Sequence, residues 1–523
     1  MAQPSDWLGM AGDRLRSTLA DFRNIWGHYW FYLFVLTISL GLAWSAHFNV
    51  EVFGHGATFF LCFLAMVFLQ KMFDWGGEKL GAHIVQGGKS KSEQRKDLKD
   101  LLVITMSNAI EATLAIILLF KCQLRLLQST IIGVLLLHML LIPGTAFFYQ
   151  GLHTYEQKLH PLHSSLNHSL LMIGVLAIAV PTAFFAALDR GTIVSGSNSE
   201  SGLPGAFVPL VSDGVRRDIL RMSRGISVVL LVIYIASRVW RHSGPLGDSA
   251  DEESDDNSEF DSQLRCNCQC NRRNTAQENQ QPNARNTATN EDGDLHHWST
   301  YILTLVIAVG LMGATAEFLV SSTEAILTVT SIQTEWFGLI LLPFVSFSAD
   351  GVNVVVETSV AIFKYCWEPT EPNSTNNAQG TIGSENGISQ RKKRKFSMWD
   401  NPLLTSEFAH GRPIDVSIQF TLCWTPLLVL FGWWFDKPMH LLFDYFEVGM
   451  LLGACLLVNY VTIDAKTNLS EGLTMISFYV MIATAAWWYP GQPQVADFLS
   501  CPSSVASAIA NGVEGSGNNL ARF

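Results

Sequence analysis

Two acidic side chains stand in the middle of apolar stretches, one in each half of the chain. Residues 101–120 read LLVITMSNAIEATLAIILLF around Glu111, and residues 336–363 read WFGLILLPFVSFSADGVNVVVETSVAIF around Asp350. A carboxylate at the centre of a bilayer costs roughly 2.5–3.5 kcal/mol on insertion scales, so it faces a cavity, an ion or a partner. Asn108 lies three residues before Glu111, on the same face of a helix, and Thr105 and Ser107 add oxygens nearby. Asp350, Asn353 and Glu357 follow the spacing i, i+3, i+7, with Ser346 one turn earlier. Carboxylate, amide and hydroxyl oxygens are the ligands of hard cations such as calcium, which takes about six to eight of them. Neither helix supplies that many alone. A polar stripe also serves hydrogen bonding between helices, but two stripes at corresponding places point to a duplicated transporter with its site between the halves. Pro343 and Gly351 bracket the second stripe and weaken the helix there, which frees backbone carbonyls to face an ion.

The elements that must hold these groups are membrane spans. The 523 residues are 49% hydrophobic and 15% charged, well below the charge of soluble domains, and mean hydropathy is +0.24. A crossing helix needs about 20 apolar residues. Candidates lie at 30–46, 57–73, 101–120, 128–149, 170–188, 225–239, 301–320, 336–363, 414–435, 441–461 and 473–489, eleven in all. Residues Met1–Gly27 are polar and lack the apolar core and small-residue cleavage site of a secretory signal, so the first span is expected to insert the chain itself.

Charge orients the spans. Lys79, Lys89, Lys91, Arg95, Lys96 and Lys99 fall in 76–100, and Arg391-Lys-Lys-Arg-Lys395 in the second linker. The positive-inside rule makes both loops cytosolic. The segment 189–224 falls on the far side despite five arginines. The sequons at Asn167, Asn373 and Asn468 fall on the cytosolic side, where none is expected to be glycosylated. The organisation expected is a cytosolic N-terminal segment (1–29), N-terminal spans (30–75), a basic loop (76–100), a first repeat region (101–240), an acidic disordered linker (241–297), the start of a second repeat (298–365), a polar and basic linker (366–411), C-terminal spans (412–490) and a tail (491–523). The acidic linker carries eight acids between Asp248 and Asp261, too polar to pack a core, and is read as a solvated tether or a weak cation regulator. Within it, Cys266-Asn-Cys-Gln-Cys270 offers thiols to a soft metal or to acylation, with no second cluster to complete a zinc site. The other six cysteines are scattered and imply no disulfide framework. The basic run is read as an orientation signal or a contact with anionic lipid headgroups rather than with nucleic acid.

These residues resemble the CAX-type cation/proton exchangers of the calcium:cation antiporter superfamily, which carry GNAxE in each of two inverted repeats. Ser107-Asn108-Ala109-Ile110-Glu111 is similar to the first copy, and Gln128-Ser129-Thr130-Ile131-Ile132-Gly133 to the QxSLLG that follows it. Gly338-Leu-Ile-Leu-Leu-Pro343 resembles the lead-in to the second copy, after which Ser346-Phe347-Ser348-Ala349-Asp350 stands where GNAAE is expected. Leu220-Arg-Met-Ser-Arg-Gly225, Ala316-Glu-Phe-Leu-Val320, Ser417-Ile-Gln419, Phe435-Asp-Lys-Pro438 and Leu457-Val-Asn-Tyr460 extend the likeness from about residue 30 to 490. The resemblance implies an all-α integral membrane protein of about eleven transmembrane helices, a 5+5 inverted-repeat core plus one N-terminal helix. It implies exchange of cytosolic calcium, or another cation, for protons held in an acidic compartment. Asn108 and Glu111 are then ligands from the first repeat, with Asp350, Gln419 and Ser417 from the second and Asn353 on the Asp350 face. His138, Glu357 and Glu317 are candidates for a proton path.

The second motif departs from the family. Phe347 replaces an asparagine, Asp350 is one methylene shorter than glutamate, Gly351 replaces a histidine, and His138 and Val134 replace an asparagine and a serine. A site with fewer oxygens favours monovalent ions, so a sodium or potassium exchanger is the alternative within transport. A transport-inactive scaffold or cation sensor is the alternative outside it. No phosphate-binding loop or nucleophile–base motif argues for an enzyme. No cofactor is expected beyond the transported cation and protons, and the partners expected are membrane lipid and those cations, on a vacuolar or other acidic endomembrane.

Overall fold

Backbone amides buried in hydrocarbon find partners only within a helix or a closed barrel, and each apolar run that can be followed here is helical. The computed structural model describes residues 30–86, 92–152, 157–158, 161–194, 212–243, 297–330, 332–344, 412–464 and 466–501. In chain order the helices are α1 (Trp30–Phe48), α2 (Val50–Gln86), α3 (Ser92–Ser107), α4 (Ala109–Phe120), α5 (Leu124–Leu136), α6 (Ile142–Gly151), α7 (Pro161–Val194), α8 (Asp213–Ser243), α9 (His297–Val329), α10 (Thr334–Trp336), α11 (Arg412–Gln419), α12 (Thr425–Trp434), α13 (Tyr445–Val461), α14 (Leu469–Trp487) and α15 (Pro493–Leu499). Among the described residues eight spans are long and apolar enough to cross a membrane, nine with the bent pair α3–α4, and α13 is a shorter apolar helix. The all-α membrane architecture expected from the sequence is the one observed. Of the eighth expected span, only the part up to Phe344 is described. Ser346, Phe347, Asp350, Gly351, Asn353 and Glu357 lie outside the described residues, as do the Cys266–Cys270 cluster, the acidic and basic linker runs and Asn373.

Three spans share one local device. Five-residue π segments occur at Leu137–Leu141, Phe337–Leu341 and Phe420–Trp424. Each is followed at the second residue by a proline: Pro143, Pro343 and Pro426. Proline has no N–H to donate and its ring collides with the carbonyl four residues back. The extra residue of a π turn moves that carbonyl aside. α5–α6 and α11–α12 thus each form one interrupted rod.

The rod α5–α6 is the centre of the bundle, with 89% of its most apolar window buried. It crosses the Phe337–Leu341 segment at two glycines. A β-carbon at Gly133 would lie 2.2 Å from the Leu339 carbonyl oxygen, and one at Gly338 would lie 2.7 Å from Cβ of Ser129. α1 and α2 pack outside on α9, where Trp44 Nε1 donates to Thr315 Oγ1 at 3.2 Å. The outer face of α1 presents Phe31, Phe34, Ile38 and Leu42, as a lipid-facing helix must. Exposed Trp433, Trp434, Trp487 and Trp488 mark the ends of α12 and α14, and tryptophan favours the membrane interface.

Loops expected on the same side of the membrane meet one another. Cys122, Glu335, His440, Asp444 and Cys501, all in segments expected on the far side, gather at one end. At the other end, β1 (Gln157–Lys158) pairs antiparallel with β2 (Lys466–Thr467), joining two loops expected in the cytosol. The expectation of no disulfide framework is corrected here: Cys122 and Cys501 are bonded, with Cα atoms 6.4 Å apart at a sequence separation of 379. Spacing along the chain carries no hint of such a pair; only the fold brings it together.

Candidate cation and proton site

The third span does not run straight through its motif. α3 ends at Ser107 and α4 begins at Ala109, with a bend of 51° between them. The expectation that Asn108 and Glu111 share one face of a regular helix is corrected accordingly. Asn108 occupies the break at φ −87°, ψ 7°. Thr105 and Ser107 hydroxyls turn back onto the Leu101 and Val103 carbonyls at 2.7 and 3.0 Å, a habit that bends helices.

The break aims Asn108 at the other half of the protein. Its Nδ2 donates to Gln419 Oε1 at 2.8 Å, with longer contacts to the Val416 and Ile104 carbonyls at 3.5 and 3.4 Å. Gln419 is the last residue of α11, immediately before a π segment. Its Nε2 donates to Thr105 Oγ1 at 2.8 Å and to the Tyr234 hydroxyl at 3.1 Å. Asn108, Glu111 and Gln419 are 0%, 2% and 3% exposed, so the cluster is sealed from solvent. Asn108 Oδ1 is buried and accepts no hydrogen bond among the described residues. An amide oxygen in that condition has lone pairs it can offer to a cation.

Glu111 faces a histidine. His138 belongs to the π segment of the fourth span, and its Nδ1 lies 2.9 Å from the Val134 carbonyl. A carbonyl only accepts, so Nδ1 carries a proton. His138 Nε2 lies 3.7 Å from Glu111 Oε1. A bare imidazole nitrogen and a carboxylate oxygen repel, so a proton held by either one makes the contact attractive.

The other expected residues divide. Ser417 is fully buried, but its hydroxyl turns back to the Pro413 carbonyl at 3.0 Å. Glu317 is half-exposed and pairs with Lys121 at 3.2 Å, outside the cluster. Asp350, Asn353 and Glu357 lie outside the described residues. Among the described residues no three His, Cys, Asp or Glu converge as metal ligands. The cluster is instead one carboxylate, two amides, hydroxyls and an imidazole. Sequence reasoning missed Tyr234, although a tyrosine among the aliphatic residues of the sixth span was there to be seen.

A second polar cluster at the far end was also missed. Arg125 pairs with Glu335, and its Nη2 donates to the Pro490 carbonyl at 2.7 Å. Burial pushes the Glu335 carboxyl up, and the Arg125 guanidinium opposes that shift. Asp444 caps α13 through Phe446 N at 2.9 Å and accepts from the Tyr489 hydroxyl at 2.6 Å and from Gln492 N at 2.8 Å. Gln128 Nε2 donates to the His440 carbonyl at 2.8 Å, and Glu447 is buried close by. Its members come from helix ends and loops far apart in sequence, where single polar residues carry no signal.

Architecture and site together define a helical membrane protein with a buried polar cluster bridging its two halves. Residues 98–241 match the family described as "Sodium/calcium exchanger protein". The chain is 26% identical over 96% of its length to the "Vacuolar calcium ion transporter" of Cryptococcus neoformans var. grubii serotype A, covering 80% of that protein. It is 24% identical over 87% of its length to the "Ca(2+)/H(+) antiporter" of Synechocystis sp., covering 97% of that protein. Its fold is similar to that of native YfkE, with a TM-score of 0.54 at 15% identity over 88% of this chain and 100% of that one. The resemblance to the CAX-type cation/proton exchangers, drawn first from the motifs, therefore holds across both halves.

Proposed function

We propose that this chain is a secondary antiporter that exchanges cytosolic calcium for protons across the membrane of a vacuole or another acidic compartment. The observation that carries the reading is the joining of Asn108 to Gln419 beside a buried Glu111 that meets His138. Polar side chains from both halves form one sealed cluster, and the acid in it has an imidazole neighbour able to hold a proton. Cation and proton compete for Glu111, so occupancy by one expels the other. With Asp350 as the second acid, about two protons leave for each divalent ion, which makes the exchange electrically neutral. The names of the relatives support calcium as the cation and the vacuole as the compartment. Phe347 in place of an asparagine favours a monovalent ion as the second reading.

The test is proton efflux from acid-loaded proteoliposomes on adding calcium, manganese, sodium or potassium outside. Efflux driven by calcium and abolished by Glu111→Gln is the expected result. Efflux driven by sodium or potassium alone replaces the first reading with the second. No efflux with any of the four, from folded protein, overturns both.

A further inference from the structure

The amide of Gln419 can be turned either way in its pocket, and which way decides what Asn108 shows to a cation. The hydrogen bonds around it leave one answer. The Thr105 hydroxyl spends its only proton on the Leu101 carbonyl at 2.7 Å. Its oxygen can then only accept from the group on its other side, 2.8 Å away. That group must be the NH2 end of Gln419. The Tyr234 hydroxyl, 3.1 Å from the same nitrogen, is a second acceptor for it. Gln419 Oε1 is thereby directed toward Asn108, whose Nδ2 donates to it at 2.8 Å. The two weaker neighbours of Asn108 Nδ2, the carbonyls of Ile104 and Val416, are acceptors too. Every neighbour of that nitrogen demands a donor, so Asn108 Oδ1 turns the opposite way, buried and with no donor among the described residues.

We infer that Thr105 and Tyr234 are positioning residues that set the polarity of the Gln419 and Asn108 amides, and so present Asn108 Oδ1 to the transported cation. The inference rests on the proposed antiport and deepens it. Gln419 becomes a positioning residue rather than a ligand in this state, since its oxygen is taken by Asn108. The device spans the two halves: a hydroxyl on α3 and another on α8 orient an amide on α11, which orients an amide at the α3–α4 break. Cation–π contact of Arg238 with the Tyr234 ring, 5.1 Å from guanidinium carbon to centroid, helps hold the tyrosine in place.

The test removes the acceptors without removing volume. Thr105→Val, Tyr234→Phe, the double variant and Thr105→Ser are made in the full chain, purified, and matched for thermal unfolding temperature. Equilibrium calcium binding in detergent and calcium-driven proton efflux from proteoliposomes are then measured. Without both acceptors only the longer contacts of Asn108 to the Ile104 and Val416 carbonyls hold the amide polarity, and Asn108 presents its nitrogen to the cation for part of the time. The double variant is expected to bind calcium about tenfold more weakly and to raise KM by a similar factor, with maximal rate changed about twofold or less. Thr105→Ser, which keeps the acceptor, is expected to match wild type. A double variant within about twofold of wild type in both readouts overturns the inference. So does a Thr105→Ser variant as impaired as Thr105→Val, because packing rather than amide polarity then explains the loss. Wild-type protein that neither binds calcium nor moves protons overturns the antiport reading and this inference with it, whereas a change of variant behaviour alone leaves antiport standing.

Discussion

His138 Nε2 and Glu111 Oε1 face each other at 3.7 Å across the interface of the third and fourth spans, and the His138 Nδ1 proton is already committed to the Val134 carbonyl. A proton on either group turns a repulsive contact between imidazole nitrogen and carboxylate into an attractive one. In the proposed antiport, a cation arriving at Glu111 would displace a proton from this pair, and the pair would be where the two fluxes are exchanged. Glu111→Gln, which cannot release a proton or bind a cation as an anion, should lower exchange by at least about a hundredfold. His138→Gln should keep exchange but shift its pH profile. Cation-driven proton efflux measured from pH 5 to 8 distinguishes them; an unshifted profile for His138→Gln removes histidine from the proton path.

The Cys122–Cys501 bond ties the tail to the loop between α4 and α5. Disulfides persist in oxidising compartments, which agrees with placing this end on the non-cytosolic side. Thiol labelling of the intact protein should leave both cysteines unmodified until a reductant is added. Cys122→Ser with Cys501→Ser should cost about 2–4 kcal/mol, read as a lower unfolding temperature. Labelling of both cysteines without reduction would show that the bond is not formed.

Asp444 accepts three hydrogen bonds, from Phe446 N, Tyr489 and Gln492 N. Asp444→Ala leaves three donors without their acceptor and should destabilise the protein by about 2–4 kcal/mol. Asp444→Asn keeps one oxygen and should cost about half as much. Thermal unfolding in detergent checks the order; equal effects of the two substitutions would contradict the cap.

His440 is buried, and burial, aided by the nearby charge of Arg216, lowers its pKa from 6.5 to about 3. The folded chain keeps this imidazole neutral where the unfolded chain protonates it. The sign follows from that difference: its stabilising contribution is complete above about pH 6.5 and is lost as pH falls toward 3. His440→Gln should flatten the acid side of the stability–pH curve. The check is unfolding temperature at pH 7, 5.5 and 4, and a parallel curve for the variant would rule the histidine out as the cause.

Gly133 lets α5 pass the backbone of the second half, since a β-carbon there would meet the Leu339 carbonyl oxygen at 2.2 Å. Gly133→Ala should cost about 3 kcal/mol or prevent folding. Gly310 on α9 has no atom within 4 Å of the same added carbon. Gly310→Ala should therefore be neutral or stabilise by up to about 1 kcal/mol. Yields of folded, monodisperse protein compare the two.

Much of the architecture could be read from the sequence because a bilayer leaves few choices. Long apolar runs must become helices, basic loops orient them, and acids within a run must face inward. Glu111, Asn108, Gln419 and His138 were accordingly named from residue type, spacing and family motif. What the sequence did not reveal depends on atoms brought together from distant parts of the chain. The prolines at 143, 343 and 426 were legible, but the π segments that accommodate them were not. The break at Asn108 is set by hydroxyls turning onto their own helix. Tyr234, the Arg125–Glu335 pair and the Cys122–Cys501 bond join segments more than a hundred residues apart, and no local pattern encodes such distances. The sequence by itself determined which stretches enter the membrane and what chemistry their side chains offer. Only the tertiary structure decided which way each amide points, because orientation is settled by the donors and acceptors that packing places around it.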